Sequence, residues 1–279
     1  MGAVAGERLR YGDGTLADAI GTVRFVLRSS TGTMRRTVDE HGAERGRRGP
    51  RGGHVFEIAE VALDPQRLDY RDGWALQRLL HEQVVAGTRP DSLVLCEHES
   101  VYTAGTRTQP EDRPAGDIPV VDVDRGGRIT WHGPGQLTGY PIARLPEIPG
   151  EPGRVDVVAF VRDLETMMIE VAAEVGVTGE RVEGRSGVWV HGDAGWEKIG
   201  AIGLRVAQGV TMHGFALNCS NELEPYRAIV PCGIRDAGVT TLSRLTGRRI
   251  TPSDVAPLVL EHLRVGASRT AALQGAVAA

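Results

Sequence analysis

Hydrophobic and polar positions along the chain fall into short runs whose period switches between two and about three and a half. His54 to Val61 alternates, with Val55 and Glu57 set against Phe56 and Ile58, and this predicts a strand. Over residues 69–85, Leu76, Leu79, Leu80 and Val84 recur at helical spacing, so a helix packs one face on a core. Ser92 to Cys96 is an unbroken apolar run and reads as a buried strand, with Cys96 a small hydrophobe inside it. Strand-like runs follow at 118–123 and 137–143. Prolines and glycines then crowd PEIPGEPGR (146–154), after which residues 155–175 carry Val157, Phe160, Val161, Leu164, Met168 and Val171 at helical spacing. GVWV (187–190) and 198–206 flank HGDAG (191–195) as a hairpin, and 210–218 is a further strand. Thr251, Pro252 and Asp254 spell a helix start, and Val255, Leu258, Val259 and Leu263 give that last helix its apolar face.

Strands and helices interspersed in this way predict an α+β fold, a mixed sheet flanked by helices. The expected organisation is a core domain over 54–218, a small C-terminal subdomain over 219–266 and a frayed tail from 267. Residues 1–53 read as a disordered extension, because Gly and Arg crowd GAERGRRGPRGG (42–53) and the apolar cluster 23–27 is too short to make a core.

Charge sharpens this division. The chain of 279 residues has a net charge of −4. Residues 1–53 hold 10 Arg against 6 acidic residues, so 54–279 carries a net −8 and is a poor nucleic-acid binder. No apolar run approaches the roughly 18 residues of a membrane span, and no signal core opens the chain, which points to a cytoplasmic protein. The 3 cysteines (Cys96, Cys219, Cys232) form no CxxC pair, in keeping with a reducing compartment.

Two features carry chemistry. The stretch 124–142, DRGGRITWHGPGQLTGYPI, contains five glycines, and a backbone so bare of Cβ atoms can lie flat against a ligand. Such a loop is a binding floor or an elaborate turn; His132 and Gln136 are polar groups that need partners and favour the floor. Lys198 is the single lysine among 32 basic residues. Either chance left it there, or the position needs a cation able to lose its proton, which an arginine cannot do. Strict alternation in its strand places Lys198 on the face of Gly200 and Ile202, an apolar setting that favours the neutral amine. Cys232 lies between Pro231 and Gly233 in a tight turn, a place suited to a reactive thiol, whereas Cys219 has no such setting. No metal-ligand spacing links the histidines and cysteines, and no phosphate-binding fingerprint occurs, so no metal and no cofactor are expected.

RGGRITWHGPGQLTGYP (125–141) resembles the signature of the lipoyl(octanoyl) transferases. LCEHESVYTAG (95–105), EKIGAIGLRV (197–206), HGFALN (213–218) and PCGI (231–234) follow in family order, so the resemblance covers roughly residues 55–263. It implies a biotin/lipoate protein ligase-like catalytic domain. The implied reaction moves an octanoyl group from octanoyl-acyl carrier protein to a lysine of a lipoyl domain through a cysteine thioester. The family's catalytic pair carries over onto Cys232 and Lys198. Its acyl-site residues carry over onto Arg125, Gly126, Gly127, Arg128, Ile129, Thr130, Trp131 and His132, then Ala201, Ile202 and Gly203, then Gly214, Phe215 and Ala216. His98 becomes a wall residue by the same carry-over. The bulk of Trp131 and Phe215 bears on chain-length preference. Implied partners are the acyl carrier protein, the lipoyl domains of 2-oxoacid dehydrogenase complexes and the glycine cleavage H protein, met by a monomer. Arg227, Arg235, Arg248 and Arg249 are candidate docking charges for these acidic carriers. The competing readings are an ATP-dependent lipoate or biotin ligase, which needs no nucleophilic cysteine, a non-catalytic acyl-carrier-binding module, and a cysteine thioesterase.

Overall fold

The structure is a computed structural model that describes residues 10–11, 14–15, 54–192, 195–230, 233 and 236–263. Contacts divide the chain into two units, Met1–Glu44 with Ala278–Ala279, and Arg45–Val277. Within the first, Arg10–Tyr11 and Gly14–Thr15 pair as a short antiparallel ribbon. Of the predicted extension over 1–53, only these four residues are described; the predicted tail from 267 and Cys232 also fall outside the described residues.

The second unit is built on an eight-stranded mixed sheet. Its strands are β1 (Glu57–Ala62), β2 (Ser92–Cys96), β3 (Gln136–Ile142), β4 (Glu180–Val182), β5 (Arg185–Gly192), β6 (Gly195–Ala207), β7 (Val210–Asn218) and β8 (Gly238–Val239). Their spatial order is β4-β5-β6-β7-β3-β2-β1, with β8 lying parallel to β6 at Glu197 and Lys198. Helix α1 (Tyr70–Ala86) begins where the Asp69 carboxylate accepts from the Arg71 and Asp72 N–H groups, and ends at Gly87 in the left-handed region, φ 72°. Helix α2 (Val157–Glu174) is capped by Asp156. After the short α3 (Leu242–Thr246), α4 (Pro252–His262) opens with the expected capping box between Thr251 and Asp254.

The period-two pattern sorts the sheet into two faces. Leu93, Leu95, Leu137, Phe215 and Leu217 share one core with Phe160, Leu164 and Met168 of α2 and with Val255 and Val259 of α4. Val94, Cys96, Tyr140, Ile142 and Met212 point the other way, onto Leu80 and Val84 of α1. Leu242 and Ile250 join the first of these cores, so the residues after Asn218 contribute to the same interior as the main sheet. Beside it stands a three-stranded sheet of Val101–Ala104, Val120–Asp122 and Thr130–His132, which carries the glycine-rich stretch. Among the described residues no helix is long and apolar enough to cross a membrane.

Candidate active site

A cleft of about 410 Å³, its open mouth included, lies on the α1 side of the main sheet. Its floor follows from strand register. Thr138 of β3, Ala216 of β7 and Ala201 of β6 stand directly opposite one another, and Gly214 pairs with Gly203. Residues opposite each other on neighbouring strands project to one face, so five small side chains form a trough where larger ones would close it. Tyr70, Arg125, Thr130, His132, Tyr140 and His213 rise around the floor, and Ile202 and Phe215 complete the lining.

Lys198 lies on the same strand as Ala201 and Gly203, and a bulge decides its face. Val188 pairs with Gly200 but Trp189 with Lys198, so Ile199 is an extra residue and the alternation slips by one. Gly200 faces α2, where an added Cβ would sit 2.8 Å from Met168 Sδ. Lys198 takes the opposite face, under Trp189, and therefore shares the trough's side of the sheet. Uninterrupted alternation predicts the face of Gly200; one inserted residue reverses it. Lys198 is 7% exposed, its ammonium 4.4 Å from the Trp189 ring centre and donating to the Ser186 carbonyl at 3.1 Å. The aromatic face and the carbonyl offset the cost of burying the cation.

The glycine-rich stretch is held from within. The Arg125 guanidinium donates to the carbonyls of Gly126, Arg128 and Thr103 and to the Thr103 hydroxyl, winding the loop around itself. Gly126 N–H donates to the Leu204 carbonyl of β6 at 2.9 Å, which ties the loop to the trough. From here the strand alternates: Thr130 and His132 line the cleft, whereas Ile129 and Trp131 pack with Tyr102, Tyr226 and Ile229 in a separate cluster. Gly126, Gly127, Arg128, Ile129 and Trp131 are thus outside the cleft lining, and the other nine acyl-site positions implied by the resemblance are in it.

His132 and Gln136, which looked as though they awaited a ligand, hold each other. Nδ1 of His132 donates to Gln136 Oε1 at 2.7 Å, and the Gln136 amide donates to Tyr226 Oη and Asn218 Oδ1 at 2.7 and 3.0 Å. Asn218 donates onward to the Thr240 carbonyl, and Thr240 N–H donates to the Lys198 carbonyl at 3.1 Å. One hydrogen-bonded chain therefore fixes the glycine loop against the lysine strand. Burial, helped by the charges of His98 and Arg125, pushes the His132 imidazole down to about 3. His98 stands behind the wall: Nδ1 donates to the Leu68 carbonyl and Nε2 accepts the Tyr140 hydroxyl at 2.6 Å, and burial lowers it to about 4.

Cys96 and Cys219 are fully buried. Burial raises the Cys96 thiol far above its usual range and pushes Cys219 up to about 12, so neither supplies a thiolate at neutral pH. Cys232 is outside the described residues; Gly233 and Val239, near it in sequence, are described. An added Cβ on Gly233 would lie 2.5 Å from Arg128 Cδ, and Val239 pairs with Lys198. Of the candidate docking arginines, Arg227 is exposed and paired with Glu224, Arg248 donates to the Val175 carbonyl, and Arg235 lies outside the described residues.

The sequence reading did not include Tyr70, Thr138, Tyr140 and His213 among the site residues. Thr138 and Tyr140 had a usable signal, because they alternate with Leu137 and Gly139 inside the glycine-rich motif. Tyr70 and His213 come to the cleft from a helix start and a kinked strand, and no local pattern marks them.

The lipoyl protein ligase A/B catalytic domain family matches residues 69–264. An octanoyltransferase of Clavibacter sepedonicus is 57% identical over 214 residues, covering 75% of this chain and 90% of that one. An octanoyltransferase of Salinispora arenicola is 58% identical over 198 residues, covering 70% and 90%. Among solved structures, the bipartite lipoate protein ligase of Thermoplasma acidophilum superposes with a TM-score of 0.55 at 13% identity, over 80% of this chain and 91% of that one, a likeness of fold.

Proposed function

Because this chain belongs to the lipoyl protein ligase A/B catalytic domain family and, within it, to the octanoyltransferases, we propose that it carries octanoyl from acyl carrier protein to a lipoyl-domain lysine through Cys232. As an acyltransferase it must break a thioester and make an amide. The Cys232 thiolate attacks the carrier thioester carbonyl; the new carbon–sulfur bond forms as the bond to the carrier sulfur breaks, and the Lys198 ammonium gives that sulfur its proton. The neutral amine of the incoming substrate lysine attacks the Cys232 acyl carbonyl, and Lys198, now itself an amine, takes the proton that nitrogen loses as the carbon–nitrogen bond forms. The carbon–sulfur bond breaks, the amide is released, and the cysteine thiolate and Lys198 ammonium are restored.

The observation that carries this reading is that the chain's single lysine lies on the same strand and the same face as the trough floor residues Ala201 and Gly203. The anchoring of Gly233 at the glycine loop and of Val239 at Lys198 supports bringing Cys232 to that end. The trough's aliphatic floor suits an unbranched acyl chain. The proposed acceptors are lipoyl domains of 2-oxoacid dehydrogenase complexes and the glycine cleavage H protein.

Intact-mass measurement after mixing the protein with octanoyl-loaded carrier, without ATP, tests the proposal. The expected result is one octanoyl on Cys232, cleared when a lipoyl domain is added, and none on Cys232→Ser. Transfer that requires ATP, or that survives in Cys232→Ser, overturns it in favour of adenylate chemistry.

A further inference from the structure

Behind the cleft wall, at His213, three buried polar atoms remain without a partner in the protein: Trp74 Nε1, Gln77 Nε2 and His213 Nδ1. His213 meets both of the other residues. His213 is 1% exposed, and its main-chain N–H donates to Gln77 Oε1 at 2.8 Å, which fixes the Gln77 amide with Nε2 as its spare end. Trp74 sits one turn earlier on α1, its ring centre 6.2 Å from that of the imidazole. On the far side His213 Nε2 donates to Asp124 Oδ1 at 2.7 Å, and Asp124 also pairs with Arg205. With its proton on Nε2, the imidazole offers Nδ1 as an acceptor.

Backbone strain marks the same residue. His213 holds φ 58° in the middle of β7, a left-handed conformation that is costly for a residue with a Cβ. The fold thus spends strain to set this ring between Asp124 and the unpaired trio, and leaving three buried groups unpaired would add to that cost.

The trio has a definite chemical demand: two N–H donors and one lone-pair acceptor. A hydroxyl-type oxygen meets all of it, accepting from Trp74 and Gln77 while its own O–H donates to His213 Nδ1. An ammonium has no lone pair for the two donors. A carboxylate or phosphate oxygen has no proton for Nδ1 and would lie close to the Asp124 carboxylate. We propose that Trp74, Gln77 and His213 form a buried site for a single hydroxyl oxygen, filled by a water molecule or by a hydroxyl carried on a chain bound in the cleft that His213 lines. Occupied, it fixes the imidazole tautomer that faces Asp124 and so stiffens the wall of the trough.

The test is a set of high-resolution crystal structures of the whole protein: free, with octanoate, and with 8-hydroxyoctanoate. The expected result is one oxygen peak within about 3.2 Å of all three atoms in the free and octanoate-bound forms, which identifies water. Replacement of that peak by the ligand hydroxyl in the third structure adds the second source. In solution, the Trp74 indole N–H of labelled protein should show a cross-relaxation signal to a long-lived water, lost in Trp74→Phe. Absence of any oxygen at the trio in all three crystals, or capture of the three atoms by other protein groups, overturns the site whether or not octanoyl transfer is observed.

Discussion

Lys198 is the residue at which composition and geometry meet. A lone lysine in an arginine-rich chain is visible in the sequence; its stacking on Trp189 and its bond to the Ser186 carbonyl are not. A guanidinium at this position also stacks on an indole, so Lys198→Arg is expected to keep the thermal melt close to wild type. It is expected to lower octanoyl transfer by at least about 100-fold, since a guanidinium cannot take up and return a proton. A Lys198→Arg enzyme within tenfold of wild type in a steady-state transfer assay removes this side chain from the proton path. His132 and Gln136 show the opposite limit of legibility. The sequence exposes their need for partners but not that each answers the other, 2.7 Å apart, with Asn218 and Tyr226 closing the set.

At the scale of elements, strands and helices were legible wherever a period persisted. Ser92–Cys96 and Val210–Asn218 run where the pattern puts them, and the Thr251 cap sits where Thr, Pro and Asp spell it. Thr251→Ala removes the side-chain half of the capping box, leaving the main-chain N–H of that residue to donate to Asp254, and is expected to cost about 1 kcal/mol, read as a lowered urea midpoint at unchanged slope. The bulge at Ile199 was not legible, because the inserted residue is apolar and satisfies either register. The trough depends on small residues meeting across strands, so Ala216→Leu should obstruct its middle. Transfer of octanoyl is expected to fall tenfold or more while transfer of butanoyl from the same carrier is retained. Equal losses for both chains would place the acyl group elsewhere.

Among the described residues of the whole molecule, burial holds the imidazoles of His132 and His98 neutral, near 3 and near 4, and lowers His213 as well. An unfolded histidine titrates near 6.5, so between about pH 6.5 and 4 the unfolded chain binds more protons than the native one, and stability falls as pH falls through that window. Urea midpoints should therefore drop from about pH 7 to pH 5, and the drop should be shallower in His132→Asn and His98→Asn. A slope unchanged in both variants shows that neither ring is held neutral. The sequence by itself determined the three longer helices, most strands of the main sheet, the glycine-rich loop, the solitary lysine and the family, because periodicity, turn chemistry and ordered motifs are properties of neighbouring residues. The strands Val101–Ala104 and Thr130–His132 and the short helix Leu242–Thr246 carried too little pattern to be read. Only the tertiary structure decided that Lys198 turns toward the trough, that Tyr70 and His213 join its wall, and that Trp131 packs away from it. Those outcomes depend on register and on contacts between strands far apart along the chain, where a single inserted residue exchanges one face of the sheet for the other.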